Sequence, residues 1–140
     1  MDRVDVEFIL VADAAQSFGG KVHLLGGGWT HLVLPEPEAR PISFSVVVGI
    51  TIPWSVTNER FRFSLELRDA DGNLIEELFS GKDLEQGRPP GLRPGASQRL
   101  IMAIPAAPDF PEPGRYVFHA LLDGDTRAQT AIEVVEHTSA

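Results

Sequence analysis

The chain has 140 residues, enough to bury about 70% of its unfolded surface in one core, so a single domain over residues 1–140 is expected. Twenty acidic against twelve basic residues leave a net charge of −8, which argues against nucleic acid or an anionic membrane as partner, since both require a concentrated cationic face. Cysteine is absent, which rules out disulfides, thiolate metal sites and cysteine nucleophiles and fits a reducing cytoplasm; no apolar run approaches the roughly 18 residues of a membrane span.

The first stretch, MDRVDVEF, is acidic and strand-like at once and lacks the basic-then-apolar pattern of a signal segment. VDVEFILVADA continues it as a strand whose outward set is Asp5, Glu7, Ile9 and Val11. One end of that strand is therefore apolar on both faces, and Ile9 and Val11 are candidate interface residues for a partner to cover. ADAAQSF and, further on, LPEPEA are the two stretches able to hold a helical turn. Between them lies KVHLLGGGWTHLVLP, residues 21–35, where three glycines and a tryptophan interrupt a strand-like apolar run. Three glycines cost conformational entropy, so the backbone there either bends sharply or lies close to something. On the first reading the strand kinks across the sandwich and Trp29 folds inward as a plug. On the second, Trp29 stands on a flexible loop as a binding anchor. A tight hairpin at the glycines would also set His23 opposite His31. A phosphate loop is not expected, because no helix follows whose N-terminus would hold the anion.

PISFSVVVGITIPW is a strand apolar on both faces around Val46 to Val48, hence central. RFRFSLELR alternates strictly, with Phe61, Phe63, Leu65 and Leu67 on one side, and the turn DADGN returns the chain through LIEELFSGKDL as a hairpin. DADGN also has the opening spacing of a calcium loop, but the twelfth position is Ser80 and both flanks are strands, so a turn is expected. EQGRPPGLRPGASQ is a long proline- and glycine-rich surface loop carrying Arg88 and Arg93, with Arg99 at the start of the next strand, SQRLIMAIP. Arginine forks pair well with carboxylates, so these three are candidate binding residues for a partner's acidic segment or the acidic face of a second copy. The prolines of AAPDFPEPG keep the next crossing extended, and RYVFHALL, the turn DGD and TRAQTAIEVVE close the chain as a second hairpin.

Eight or nine short strands with turn chemistry between them predict an all-β fold, an antiparallel β-sandwich. Proline-glycine ahead of an aromatic-led penultimate strand is immunoglobulin-like, with Tyr116 in the place of the tyrosine that anchors a corner. Ten of the twelve basic residues are arginine, and alanine, glycine and proline are plentiful, as in proteins of GC-rich genomes. ADAAQ, the following GGK and LGGGW, the proline-rich loop and the closing hairpin together resemble an uncharacterised bacterial, chiefly actinobacterial, family of small β-sandwich proteins. The resemblance covers nearly the whole chain. It implies fold and source and carries no activity.

No G-x-S-x-G elbow and no strand-to-helix turn is present to expose a nucleophile. The histidines, His23, His31, His119 and His137, do not supply a third ligand at metal spacing, so neither metal nor cofactor is expected. The expected function is a non-catalytic, cytoplasmic binding or assembly module acting through protein–protein contacts, with a homodimer among the candidates. The alternative is a small-molecule or sugar-binding carrier in which Trp29 or Trp54 stacks a ring; an enzyme comes third. A pocket lined by aromatics would favour the carrier, a flat apolar surface assembly.

Overall fold

Phe61, Phe63, Leu65 and Leu67 are buried while Arg62 between them is exposed, so the alternation of RFRFSLELR becomes a strand with one core face. It is the fifth of nine: β1 (Asp5–Phe18), β2 (Lys21–Gly27), β3 (His31–Leu34), β4 (Phe44–Ile52), β5 (Phe61–Asp69), β6 (Leu74–Leu84), β7 (Gln98–Ala106), β8 (Gly114–Leu122) and β9 (Asp125–Glu136). The structure is a computed structural model and describes residues 2–136. Strands hold 62% of the chain described, far above the average of about 20–25%, and the remaining regular structure is two single 3-10 turns, Pro37–Ala39 and Trp54–Val56.

Two sheets pack face to face, ordered β2-β1-β4-β7 and β3-β9-β8-β5-β6. Pairing is antiparallel as expected, with one exception: β3 runs parallel to β9. The segment LPEPEA supplies the turn Pro37–Ala39, whereas ADAAQSF is strand rather than helix. Its alanines follow their partners. Gly19 and Gly20, both at positive φ, fold the chain back so that Lys21–Gly27 pairs along Ala12–Phe18, and that ladder outweighs alanine's helical preference. The pairing of β1 with β4 ends at Ala12, so Asp13–Phe18 and its partner strand stand beyond the sheet as a two-stranded arm.

The core lies between the sheets. Phe44, Val46, Val48, Ile50 and Ile52 of β4 meet Phe63, Leu65 and Leu67 of β5 and Phe118, Ala120 and Leu122 of β8. An edge-to-face chain of rings crosses it, Trp29 to Phe44 at 5.5 Å and Phe44 to Phe118 at 5.9 Å. At the corner before β8, the Tyr116 hydroxyl donates to the Glu112 carbonyl at 2.5 Å and accepts from the Glu112 N–H at 3.3 Å. Burial raises the pKa of this phenol, so it remains a donor.

Candidate functional site

Glu7 is an extra residue in β1. Val6 pairs with Ile50, yet the next pairs are Phe8 with Gly49 and Ile9 with Val48, a β-bulge that resets the alternation. From Phe8 onward the odd-numbered side chains of β1 point into the sandwich. Val11 is 1% exposed in the core and Ile9 packs against the same cluster. The interface role expected for Ile9 and Val11 is therefore corrected: an unbroken two-residue period carries them outward with Asp5 and Glu7, and the bulge turns them in.

The outward face of the four-stranded sheet is built instead by Phe8 and Leu10 on β1, Val47 and Gly49 on β4, and Ile101 and Ala103 on β7, set side by side by the pairings. Phe8, Leu10 and Ile101 remain partly exposed, while Val47 is closed off between its neighbours. The Phe8 ring lies directly over Gly49, where even a methyl group would overlap it. The arm extends from this sheet, with Ala14 paired to Leu25 and Phe18 to Lys21, and the Leu24 side chain lies over Gly27 toward Leu10 and Ala12. Phe18 and Leu25 are each 73% exposed. At the other end the face is rimmed by Glu7, whose carboxylate accepts from Arg99 Nε at 2.6 Å, Arg99 Nη2 at 2.5 Å and Thr51 Oγ1 at 2.9 Å. The Arg99 fork, then Thr51, holds the Glu7 carboxyl below its usual range, and Glu7 in turn raises the Arg99 guanidinium.

The opposite outer face, on β5, β8 and β9, carries more charge, although Val33 and Val135 stand exposed beside each other at its β3–β9 edge. Arg68 bonds Glu66 at 2.7 Å, Arg115 faces Glu133 at 3.7 Å, and His119 Nδ1 meets Thr126 Oγ1 at 3.2 Å. Burial lowers the His119 pKa, nearby Arg68 adds to this, and Glu66 partly opposes it. In the folded state His119 thus binds its proton less readily than in the unfolded chain. Stability is therefore full above the unfolded value of about 6.5 and falls as the pH drops through that value toward the folded one. Urea midpoints measured at about pH 8 and about pH 5 are expected to differ more for the wild type than for His119→Gln. Equal differences would show that His119 makes no such contribution.

The glycine run is where the chain changes sheets. Gly26 and Gly28 have positive φ, the Gly28 N–H donates to the Val11 carbonyl at 2.7 Å, and β3 then begins in the other sheet. The positive φ of Gly26 is what favours glycine there; a side chain would also push the exposed Asp13 carboxylate aside. His23 and His31 lie in different sheets, which corrects the hairpin that would pair them; His137 lies outside the described residues. Trp29 packs edge-on against Phe44 and the core, as a bend with a plug would have it, and its Nε1 is buried without a hydrogen-bond partner.

Two of the three candidate arginines are engaged within the chain. Arg88 stacks 3.4 Å above the Trp54 ring and donates to the Trp54 carbonyl at 2.8 Å; Arg99 is held by Glu7; Arg93 is exposed in the loop. Trp54 thus has one ring face covered. A hollow of about 590 Å³ lies along the arm, lined by Ala14, Ala15, Gln16, His23, Leu24 and Leu25 with no aromatic ring. In DADGN, Asp69 Oδ1 accepts the N–H groups of Asp71 and Asn73 at 3.0 and 2.9 Å, and these turn bonds, led by Asn73, lower its pKa. Among the described residues no three histidine, aspartate or glutamate side chains are grouped to hold a metal ion.

Sequence reasoning missed Phe8, Leu10, Ile101 and Ala103 as one surface. The available signal was that strict apolar–polar alternation is lacking in both FSVVVGITI and RLIMAIP, which are apolar on either side; neighbouring strands of that kind make a sheet with two apolar faces.

A family model described as "Family of unknown function (DUF6941)" matches residues 7–135. No curated protein matches the chain. Among solved structures the chain is similar to the Pseudomonas fluorescens alkylpurine DNA glycosylase AlkC bound to DNA containing an abasic site analog, at 13% identity and a TM-score of 0.43 over 94% of this chain. The chain spans 30% of that protein's length, and a likeness this slight bears on neither fold nor activity.

Proposed function

The chain belongs to this family of unknown function, and we propose that it is a non-catalytic, cytoplasmic binding or assembly module whose working surface is the outer face of the β2-β1-β4-β7 sheet. The observation that carries this reading is the contrast between the two outer faces. One bears paired charges, with Val33 and Val135 exposed side by side at its β3–β9 edge; the other is uncharged between Glu7 and the arm and presents Phe8, Leu10 and Ile101, partly exposed, across three neighbouring strands. The groups with shifted pKa support a non-catalytic role, because the hydrogen bonds of Glu7, Asp69 and Tyr116 go to structural partners within the chain. Lack of cysteine supports the cytoplasmic placement, and among the described residues no helix is long and apolar enough to cross a membrane. We read the architecture as immunoglobulin-like: the strand order, the closing hairpin β8–β9 and the Tyr116 corner support this.

The test is a photo-activatable cross-linker placed in the native host at position 101, with position 121 on the opposite outer face as control. A covalent protein adduct at 101 and none at 121 is expected. Adducts of equal yield at both positions, or none at 101, would overturn the reading.

A further inference from the structure

We infer that the occupant of this face is a second copy of the chain, the two four-stranded sheets packing face to face about a two-fold axis with Phe18 and Leu25 of each arm covered by the partner. The inference rests on the reading of the face as a docking surface and adds what docks there.

Shape is the first ground. A two-fold interface uses one patch twice, so the patch must complement itself. A flat apolar sheet does so without further features, since two such sheets pack about 10 Å apart through interleaved side chains. Gly49 keeps this one flat by letting the Phe8 ring lie across the strand instead of standing up from it.

Area is the second. Three strands about 4.8 Å apart (β1, β4 and β7), contributing about six residues each at about 3.4 Å per residue, make a face of roughly 300 Å², and the two-stranded arm of β1 and β2 adds roughly 200 Å². Two copies would bury about 1,000 Å² together, the size of a weak, reversible association, and the sheet alone would fall short of it. The arm is thus required even for a weak pair. Its exposed Phe18 and Leu25 project beyond their own sandwich, where only another molecule can cover them.

Charge is the third. Two chains of net charge −8 repel each other, and they can meet only through a surface that adds little to that repulsion. On this face Glu7 and Arg99 neutralise each other in a bidentate pair, and the strands between them and the arm present uncharged side chains. An acidic or basic partner would find no unpaired opposite charge on those strands to hold it.

The experiment is sedimentation velocity on the purified full chain across a concentration series, for wild type, Phe18→Asp, Ile101→Lys and Leu121→Lys. A wild-type dimer is expected, with Phe18→Asp and Ile101→Lys each weakening association at least about tenfold at unchanged circular dichroism, and Leu121→Lys leaving it intact. Phe18 lies at the arm's tip, so its replacement cannot unfold the sandwich and the test holds even where Ile101→Lys does not fold. A wild-type chain that stays monomeric at every concentration overturns the inference, as does a dimer indifferent to Phe18→Asp. If the purified chain is monomeric while position 101 still cross-links to another protein in the native host, the second copy is wrong and the docking face stands. If both fail, so does the face.

Discussion

Val11→Lys is expected to abolish the cooperative unfolding transition at room temperature, while Leu10→Lys, one residue away, keeps it. Val11 is 1% exposed and pairs with Val46 in the middle of the sandwich, so its replacement buries an ammonium with no partner. Such a charge costs on the order of 5 kcal/mol, enough to remove most of a typical stability of about 5–15 kcal/mol. Leu10 points to the opposite face, where a lysine stem can lie along the sheet with its head in water. Urea melts followed by circular dichroism read both variants. The reverse result, a folded Val11→Lys beside an unfolded Leu10→Lys, would mean that Glu7 does not bulge out of the ladder in solution.

Trp29→Ala is expected to cost about 3 kcal/mol, because it removes the outer ring of the Trp29–Phe44–Phe118 chain and opens the end of the core. Trp29→Phe should cost less than about 1 kcal/mol. It retains an edge for Phe44, and the indole N–H it deletes has no acceptor to lose. Denaturant midpoints for the two variants decide, and iodide quenching in a Trp54→Phe background gives an independent reading of the same ring. An unchanged midpoint for Trp29→Ala together with strong quenching would return Trp29 to the role of an exposed anchor.

Features fixed by neighbours in sequence were legible in advance. The two-residue period of Phe61–Leu67, the turns at DADGN and DGD, and the bend at the glycines each follow from local conformational preference, and the structure places strands and turns there. The Tyr116 corner is local too, its partner lying four residues upstream. The bulge at Glu7 was not legible. No glycine or proline marks it, and a single extra residue reverses the facing of every side chain that follows. The arm was obscured for a different reason: ADAAQSF has the composition of a helix and becomes strand only through its ladder with Lys21–Gly27. Of the candidate site, the two-sided apolarity of the central strand was visible, but not which residues share its second face, since this depends on which strands flank it. The arginines failed as free cations because their partners are remote: Arg88 meets Trp54 and Arg99 meets Glu7 through the fold.

The single parallel pair joins stretches far apart in sequence, His31 lying beside Glu133 and Leu34 beside Glu136. Synthesis runs from the N-terminal side, so β3 emerges long before the strand it must join. Until β9 is complete, the five-stranded sheet lacks its second and first members, β8 has a bare edge, and the inward faces of β1 and β4 have only part of their cover. Contacts so distant in sequence are late and slow to form, and the fold can close only after the chain has been made through Glu136. A nascent chain arrested short of β9 would hold its apolar strands open to other chains, the condition under which edges mispair.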